Sequence, residues 1–421
     1  MIFKNIRLVD PANGRDFVTD VEISDGKIIS IEKTNKTGID MMGKIMAPGF
    51  IDAHVHFRDP GQTEKEDIET GSMAAARGGF TSVICMANTR PVMDSKELIE
   101  DFVKRASELK INVYTVSALT KGFKGSEIVN MEENLEAGAV AFTDDGIPDM
   151  RTDIVKAAME KAKDLDAVIS FHEEDPSLIK ENGVNHGKVS EELNIYGSPR
   201  TAEDVMVARD GALSLYTGAK VVIQHISSGV SVDLVRFYKS HGARLYAEVT
   251  PHHFTLTEDA VLEHGTRAKM NPPLRTEEDR EKILKGIADG TIDMIATDHA
   301  PHTKEEKDRE ITKAPSGITG LETSFSLANM HLLKKGIIDL KKLVEIMSTN
   351  AARLYNLPGG EIKVGEESDF VIFDTTTKWK FEDSLSKSSN TPFLNEEMEG
   401  KIWMSFAKGE IAYIDKDLKI D

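Results

Sequence analysis

The sequence predicts an α/β protein: a (β/α)8 barrel of the TIM type, with a small β-sandwich domain built from both chain termini. Three observations carry this expectation. Short apolar runs alternate eight times with helix-patterned stretches between residues 50 and 299, and eight parallel strands is the number that closes a barrel. No glycine-rich phosphate loop follows the first run, which weakens an open doubly wound sheet. Both ends of the chain, in contrast, have strand-and-turn texture.

Taken in order, residues 1–48 read as strands joined by turns. "FKNIRLVD" comes first, and "DVEISDGKIISIE" sets Asp25-Gly26 between two strand halves, the composition of a two-residue hairpin turn. From residue 50 the rhythm changes. The first four runs are "FIDAHVH" (50–56), "FTSVICM" (80–86), "INVYTVSA" (111–118) and "AVAFTDD" (139–145). The next four are "AVISFHE" (167–173), "KVVIQHIS" (220–227), "ARLYAEVT" (243–250) and "DMIATDH" (293–299). Between them, "SKELIEDFVKRASELK", "DIVKAAMEKAKDL", "SVDLVRFYKSHG" and "TEEDREKILKGIADG" repeat apolar residues at three- and four-residue spacing. Several end at glycine, as amphipathic helices do. Beyond about residue 355 strand texture returns in "SDFVIFDTTTKW" and "GKIWMSFAKGEIAYID". The expected division is 1–48 and 358–421 for the two parts of the small β domain, with 49–357 for the barrel.

The bulk numbers narrow the function. Of the 421 residues, 40% are hydrophobic and 29% charged, the balance of a soluble globular protein. A formal net charge of −19 argues against nucleic acid, whose phosphates call for a basic face. It leaves a small anionic substrate open, since that needs only a local cation. No apolar stretch is long enough for a bilayer span, and the charged opening "MIFKNIRLVD" is unlike a signal peptide. One cysteine, Cys85, excludes an internal disulfide and suits a reducing cytoplasm.

Barrels of this type place their chemistry at the C-terminal ends of the strands. There the runs end in His54 and His56 (first), Asp145 (fourth), His172 (fifth), His225 (sixth) and Asp298 (eighth). Side chains alternate along a strand, so His54 and His56 share one face. A lone histidine is more often core, and a lone strand-end aspartate more often a helix cap. Six such residues on one rim point to a metal site. Four imidazoles and two carboxylates favour zinc, with iron, cobalt or manganese as substitutes. One zinc takes three or four ligands, so six suggest two ions sharing a bridging carboxylate rather than one. Alternation turns Asp144 away from Asp145. His252 and His253 are read as shaping the loop after the seventh run, and His299 as support for the ligands at most.

The motifs "DAHVHFRDPG", "EDIETGSMAAARGGFTSV", "MANTRP", "AFTDDG", "KMNPPLR" and "IATDHAPHT" resemble those of the class I dihydroorotases, in the amidohydrolase superfamily. The likeness runs from residue 52 to about 323, and "NTPF" at 390–393 extends it. The resemblance implies His54, His56 and Asp298 at one zinc, His172 and His225 at the other, and Asp145 between them. Other superfamily members, hydantoinases and allantoinases among them, bridge with a carboxylated lysine, and no lysine ends the fourth run here. The same resemblance sets the substrate against His56, Arg58, Asn88, Asn271, His302, Ser316 and Gly317. Three departures stand out: Ala87 in place of a common proline, Ser316 in place of a common phenylalanine, and "SFHEED" as a variant ending of the fifth run.

The activity implied is reversible, zinc-dependent cyclisation of N-carbamoyl-L-aspartate to L-dihydroorotate, a step of de novo pyrimidine (UMP) biosynthesis. Such chemistry requires a metal-bound hydroxide to attack the ring amide carbonyl, and an acid/base between that oxygen and the leaving nitrogen. Asp298 is the expected catalytic residue, because a carboxylate at the metal reaches both atoms. Arg58 offers the planar fork that a substrate carboxylate needs. The alternatives are another cyclic amidohydrolase, a hydantoinase or allantoinase, or a non-catalytic barrel used as a scaffold. Expected partners are the small substrate, a second copy on base rates alone, and in one reading other pyrimidine-pathway enzymes.

Overall fold

In the structure, a computed structural model describing residues 1–147, 151–367 and 369–418, the chain opens on five strands. These are β1 (Ile2–Asp10), β2 (Arg15–Ser24), β3 (Lys27–Ile31), β4 (Ile39–Asp40) and β5 (Ile45–Pro48). Asp25 and Gly26 join β2 to β3 with positive φ at both residues (50° and 74°), as the Asp-Gly pair predicts. Eight further strands follow: β6 (Phe50–Val55), β7 (Phe80–Cys85), β8 (Asn112–Ser117), β9 (Ala139–Phe142), β10 (Val168–Phe171), β11 (Lys220–Ile223), β12 (Leu245–Val249) and β13 (Met294–Ile295). Three more, β14 (Phe370–Lys380), β15 (Glu397–Ala407) and β16 (Glu410–Ile414), end the described chain.

The terminal strands form one sheet in the order β16-β15-β14-β5-β1-β2-β3, with β4 beside β1. The two ends of the chain meet where β14 runs antiparallel to β5. The sheet folds over on itself, so that a Cβ on Gly26 would lie 2.8 Å from the Cα of Gly409 in the β15–β16 turn. Between its halves Phe370 stacks on Phe406 at 4.8 Å and meets Phe3 edge-on at 6.0 Å, within a core of its own. This is the sandwich expected from the two termini.

Strands β6 to β13 lie side by side in chain order, and their paired neighbours are parallel. Every residue of β6 and β7 is buried, as in strands covered on both faces. The ring closes through a narrow seam between the first and last strands. Val55 bridges to His299, the His56 amide donates to His299 O (2.8 Å), and the Asp52 carboxylate accepts from Thr297 N. Helices fall where the three- and four-residue spacing predicts, at Lys96–Ala106, Thr152–Asp164, Gly229–Ser240 and Glu277–Asp289. The last starts in a reciprocal cap between Thr276 and Asp279 and stops at Gly290, whose φ of 80° suits glycine. No helix among the described residues is long and apolar enough to cross a membrane.

The joint between sheet and barrel is short and tight. β5 passes into β6 through Gly49, where a Cβ would stand 2.0 Å from Thr81 Oγ1, so only glycine fits. Phe50 packs there against Phe325 (5.7 Å) and Phe373 of β14 (5.8 Å). Burying such rings contributes about 1.5–3 kcal/mol each, which anchors the rim strand that carries His54.

Candidate metal centre

The strands are shorter than the apolar runs, and the difference is functional. β6 ends one residue before His56, β10 one before His172, β11 two before His225, and β9 and β13 three before Asp145 and Asp298. Apart from His54, which is the next-to-last residue of β6, the ligand candidates therefore stand just past the strand ends, on the C-terminal rim. Arg58, His225 and Asp298 have positive φ (58°, 33° and 47°), where side chains other than glycine are strained. Such strain persists where surrounding contacts over-determine the backbone, and here it turns three side chains into one cavity.

That cavity, of about 180 Å³, is lined by every metal-ligand and substrate-contact candidate from the sequence except His54, which is fully buried. Asp145 sits among the four imidazoles. Its Oδ1 is 3.6 Å from His54 Nε2, 3.7 Å from His172 Nδ1 and 3.8 Å from His225 Nε2, and its Oδ2 is 3.4 Å from His56 Nε2. Asp298 Oδ1 lies 3.6 Å from His54 Nε2 and 2.9 Å from His56 Nε2. Ligand atoms about 2.1 Å from a tetrahedral ion stand about 3.4 Å from one another, so these gaps are the size a shared cation spans.

Two features test whether a metal fits. His54 Nε2 is buried without a hydrogen-bond partner, although it faces both carboxylates. His172 Nδ1 and His225 Nε2 face each other at 3.0 Å, an approach of two ring nitrogens that suits a common cation. The sets His54–His56–Asp298 and His54–Asp145–His225 each bring their ligand atoms within 4.8 Å of one another. The donor set fits.

The outer nitrogens explain the tautomers. His54 Nδ1 donates to Glu248 Oε1 (2.6 Å), His56 Nδ1 to Asn88 Oδ1 (2.9 Å) and His172 Nε2 to Glu174 Oε2 (3.0 Å). In the neutral ring each bond fixes the proton on the outer nitrogen and leaves the other one, facing the centre, free to bind a cation. Burial alone would push the His54 imidazole down, but the Glu248 and Asp145 carboxylates outweigh it and hold it well above its usual value. Burial would likewise raise Asp145 and Asp298, yet the facing histidines hold both below the usual carboxylate range, in the ionised form a cation binds. Protons and metal therefore compete for these nitrogens.

Glu248 and Glu174 were not singled out in the sequence. A glutamate inside the buried run "ARLYAEVT" is a signal in itself, since such a residue needs a partner. Glu174 stands two residues after His172 in the variant ending "SFHEED". Glu248→Gln keeps the shape and removes the charge behind His54. It is expected to weaken metal retention by about tenfold or more, read as metal content after dialysis against a competing chelator. Unchanged retention would make Glu248 a packing residue.

Asn88 is placed between ligands rather than free: its Nδ2 donates to Asp145 Oδ2 (3.3 Å) while its Oδ1 holds His56. Asn271 Oδ1 is buried and unpartnered. Arg58 Nε donates to Pro301 O (3.3 Å), and its terminal nitrogen lies 3.4 Å from His302 Nε2, which also meets Ser316 O (2.9 Å). Burial, reinforced by the Arg58 charge, pushes His302 down to about 3, so it is neutral near pH 7. Asp59 pairs with Arg105 (2.9 Å), and Arg58 makes no salt bridge among the described residues.

The flanking polar residues fall outside the centre. Asp144 accepts from Leu119 N (2.7 Å), Thr120 N (3.0 Å) and the Thr120 hydroxyl. His253 bonds to Thr250 Oγ1 and Pro272 O, and His299 faces Glu66. His252 is buried with Nε2 unpartnered, beside the centre rather than in it. Asn390, from beyond the barrel, accepts from His302 N (3.0 Å) and donates to Ala300 O and Gly317 O (3.1 Å each). No local pattern in "NTPF" announces that reach.

Comparison with known proteins agrees with this geometry. A model described as "Amidohydrolase family" matches residues 45–412. The dihydroorotase of Clostridioides difficile (strain 630) is 53% identical over 418 residues, covering 98% of this chain and 99% of that one. The dihydroorotase of Clostridium acetobutylicum is 49% identical over 423 residues (99% and 100%), and that of Lactococcus lactis subsp. lactis 44% over 418 (98% and 99%). Among solved structures, the L-hydantoinase (dihydropyrimidinase) of Arthrobacter aurescens superposes with a TM-score of 0.88 at 24% identity, covering 100% of this chain and 97% of that one. The D-hydantoinase (dihydropyrimidinase) of a Thermus species gives 0.85 at 23%, covering 100% and 96%. At such identity these last two speak for the fold alone. With likeness along almost its whole length, this chain belongs to the amidohydrolase family, among the dihydroorotases.

Proposed function

We propose that the protein is a zinc-dependent dihydroorotase that interconverts N-carbamoyl-L-aspartate and L-dihydroorotate. The observation that carries this reading is Arg58. Its guanidinium stands in the cavity of the metal ligands, free of the neighbouring Asp59, which Arg105 takes. A dihydroorotate ring has a carboxylate for such a fork to hold; a plain cyclic amide has none.

His54, His56 and Asp298 would hold one ion, His172 and His225 a second, with Asp145 between them. When bound, the metal supplies a water nucleophilic near neutral pH and polarises the carbonyl. The protein's own groups do the rest. Arg58 binds the carboxylate, and the bare Asn271 Oδ1 accepts a ring N–H. Neutral His302 and the Ser316–Gly317 backbone form the wall beside Arg58. Asp298, ionised, takes a proton on the attacking side and returns it to the leaving nitrogen; in ring closure it runs the same path backwards. Two zinc ions per chain follow from the six ligands. A homodimer in the cytoplasm completes the reading, supported by the base rate for soluble enzymes and the lone cysteine.

The test compares substrates. The zinc-loaded protein is expected to open dihydroorotate and leave dihydrouracil, which lacks the carboxylate, nearly untouched. Arg58→Lys should stay folded and lose about hundredfold in kcat/KM for dihydroorotate, because a point charge does not reproduce two parallel bonds. Equal rates on both rings, or an unchanged kcat/KM in the variant, would point to another cyclic amide.

A further inference from the structure

Two lysines remain that the reaction does not use. Lys269 and Lys307 are each 3% exposed, and neither forms a salt bridge among the described residues. Both spend their ammonium groups on carbonyls of one loop. Lys269 Nζ donates to Ile311 O and Ala314 O (2.7 Å each). Lys307 Nζ donates to Pro315 O and Gly317 O (2.9 Å each), and lies 3.4 Å from Lys269 O. Burial, then the nearby Lys269 charge, pushes Lys307 down to about 7. Keeping two like charges in one dry place costs stability, and what they obtain in return is the shape of residues 311–317.

That shape faces the metal. Ser316 and Gly317 line the cavity that Arg58 enters, and His302 joins the two, 3.4 Å from the Arg58 guanidinium and 2.9 Å from Ser316 O. In a trans peptide the carbonyl and the following N–H point in opposite directions. Turning Pro315 O onto Lys307 therefore turns the Ser316 N–H the other way, where it has no partner among the described residues. The Gly317 amide donates to Lys269 O (3.0 Å), and Lys269 stands two residues before Asn271 on the adjoining wall. Gly317 itself has a φ of 120° and leaves 2.7 Å between a would-be Cβ and Ala300 Cβ, so the loop has little freedom to reseat.

We propose that Lys269 and Lys307 are positioning residues for substrate binding. They hold the 311–317 loop from behind, so that the Ser316 N–H and the His302 ring meet the ring amide and carboxylate of the substrate. This rests on the dihydroorotase reading above for what binds, but the holding of the loop does not.

Lys307→Met and Lys269→Met keep the buried stem and remove the donors. Arg309 and Lys313 lie exposed on the same segment, so trypsin reports on the loop directly. Each variant is expected to be cut there about tenfold faster than the parent, as loss of buried hydrogen bonds implies. KM for dihydroorotate should rise about tenfold with kcat within about twofold and zinc content unchanged. If Lys307→Met does not fold, Lys269→Met alone decides, since its bonds fall on the outer half of the loop. Unchanged cleavage, or faster cleavage with an unchanged KM, overturns the proposal. A parent protein that ignores dihydroorotate refutes the substrate reading instead, and the cleavage rates still decide whether the lysines hold the loop.

Discussion

Asp298→Asn is expected to lower ring opening and ring closure alike, by about 10²- to 10⁴-fold, the range for losing a positioned acid/base. The amide matches the carboxylate in size but takes up no proton near neutral pH. The wild-type group is set for the opposite behaviour. Burial would raise its pKa, yet the bond to His56 and the charges of His54 and His56 keep it ionised, ready to accept. Because Asp298 also faces His54 and His56 at ligand distance, zinc has to be measured on the same sample. Loss of rate in both directions with zinc retained assigns the proton transfer. Near-normal rates would remove Asp298 from it.

Asp145→Ala should abolish activity to background, through the metal. Among the described residues its carboxylate is the one acidic group within 4 Å of all four imidazoles, so removing it leaves both halves of the centre without their common anion. Added bicarbonate should not restore the variant. A bridge made from lysine needs carbon dioxide to become anionic, whereas an aspartate is already charged near neutral pH, and no lysine among the described residues lines this cavity. Asp144→Asn is the control. That side chain is engaged with Leu119 and Thr120, so the substitution should cost some stability and leave zinc in place. Zinc lost from Asp144→Asn and kept by Asp145→Ala would exchange the two roles. Inactivation of the parent by bicarbonate depletion would mean that the bridge is a lysine.

The barrel was legible because its signal is long-range and repeated. Eight apolar runs with helical spacing between them survive errors at any one boundary. Period-two alternation likewise separated Asp145 from Asp144, and the structure turns Asp144 to Leu119 and Thr120. Strand ends were less legible. "DMIATDH" yields only Met294–Ile295 as strand, because Asp298 takes a positive φ that apolar patterning does not encode. Glu248, Glu174 and Asn390 were missed for a different reason. They act on ligands or cavity walls through contacts that form only once the ring has closed, and in Asn390 across 88 residues of chain. A pattern read along the sequence sees side-chain types at fixed spacing; it does not see which nitrogen of a histidine is left bare.

The seam between β13 and β6 would give a bound metal a second office. His54 and His56 stand on one lip of that seam and Asp298 on the other, with Val55 bridged to His299 and Asp52 reaching Thr297 as the ties below. An ion held by His54 and His56 on one side and Asp298 on the other would work as the clasp of a bracelet whose links are the strands. Held from both lips, it would add a tie across the seam to the few hydrogen bonds that close it. The group that would activate the water would also be the rivet of the ring.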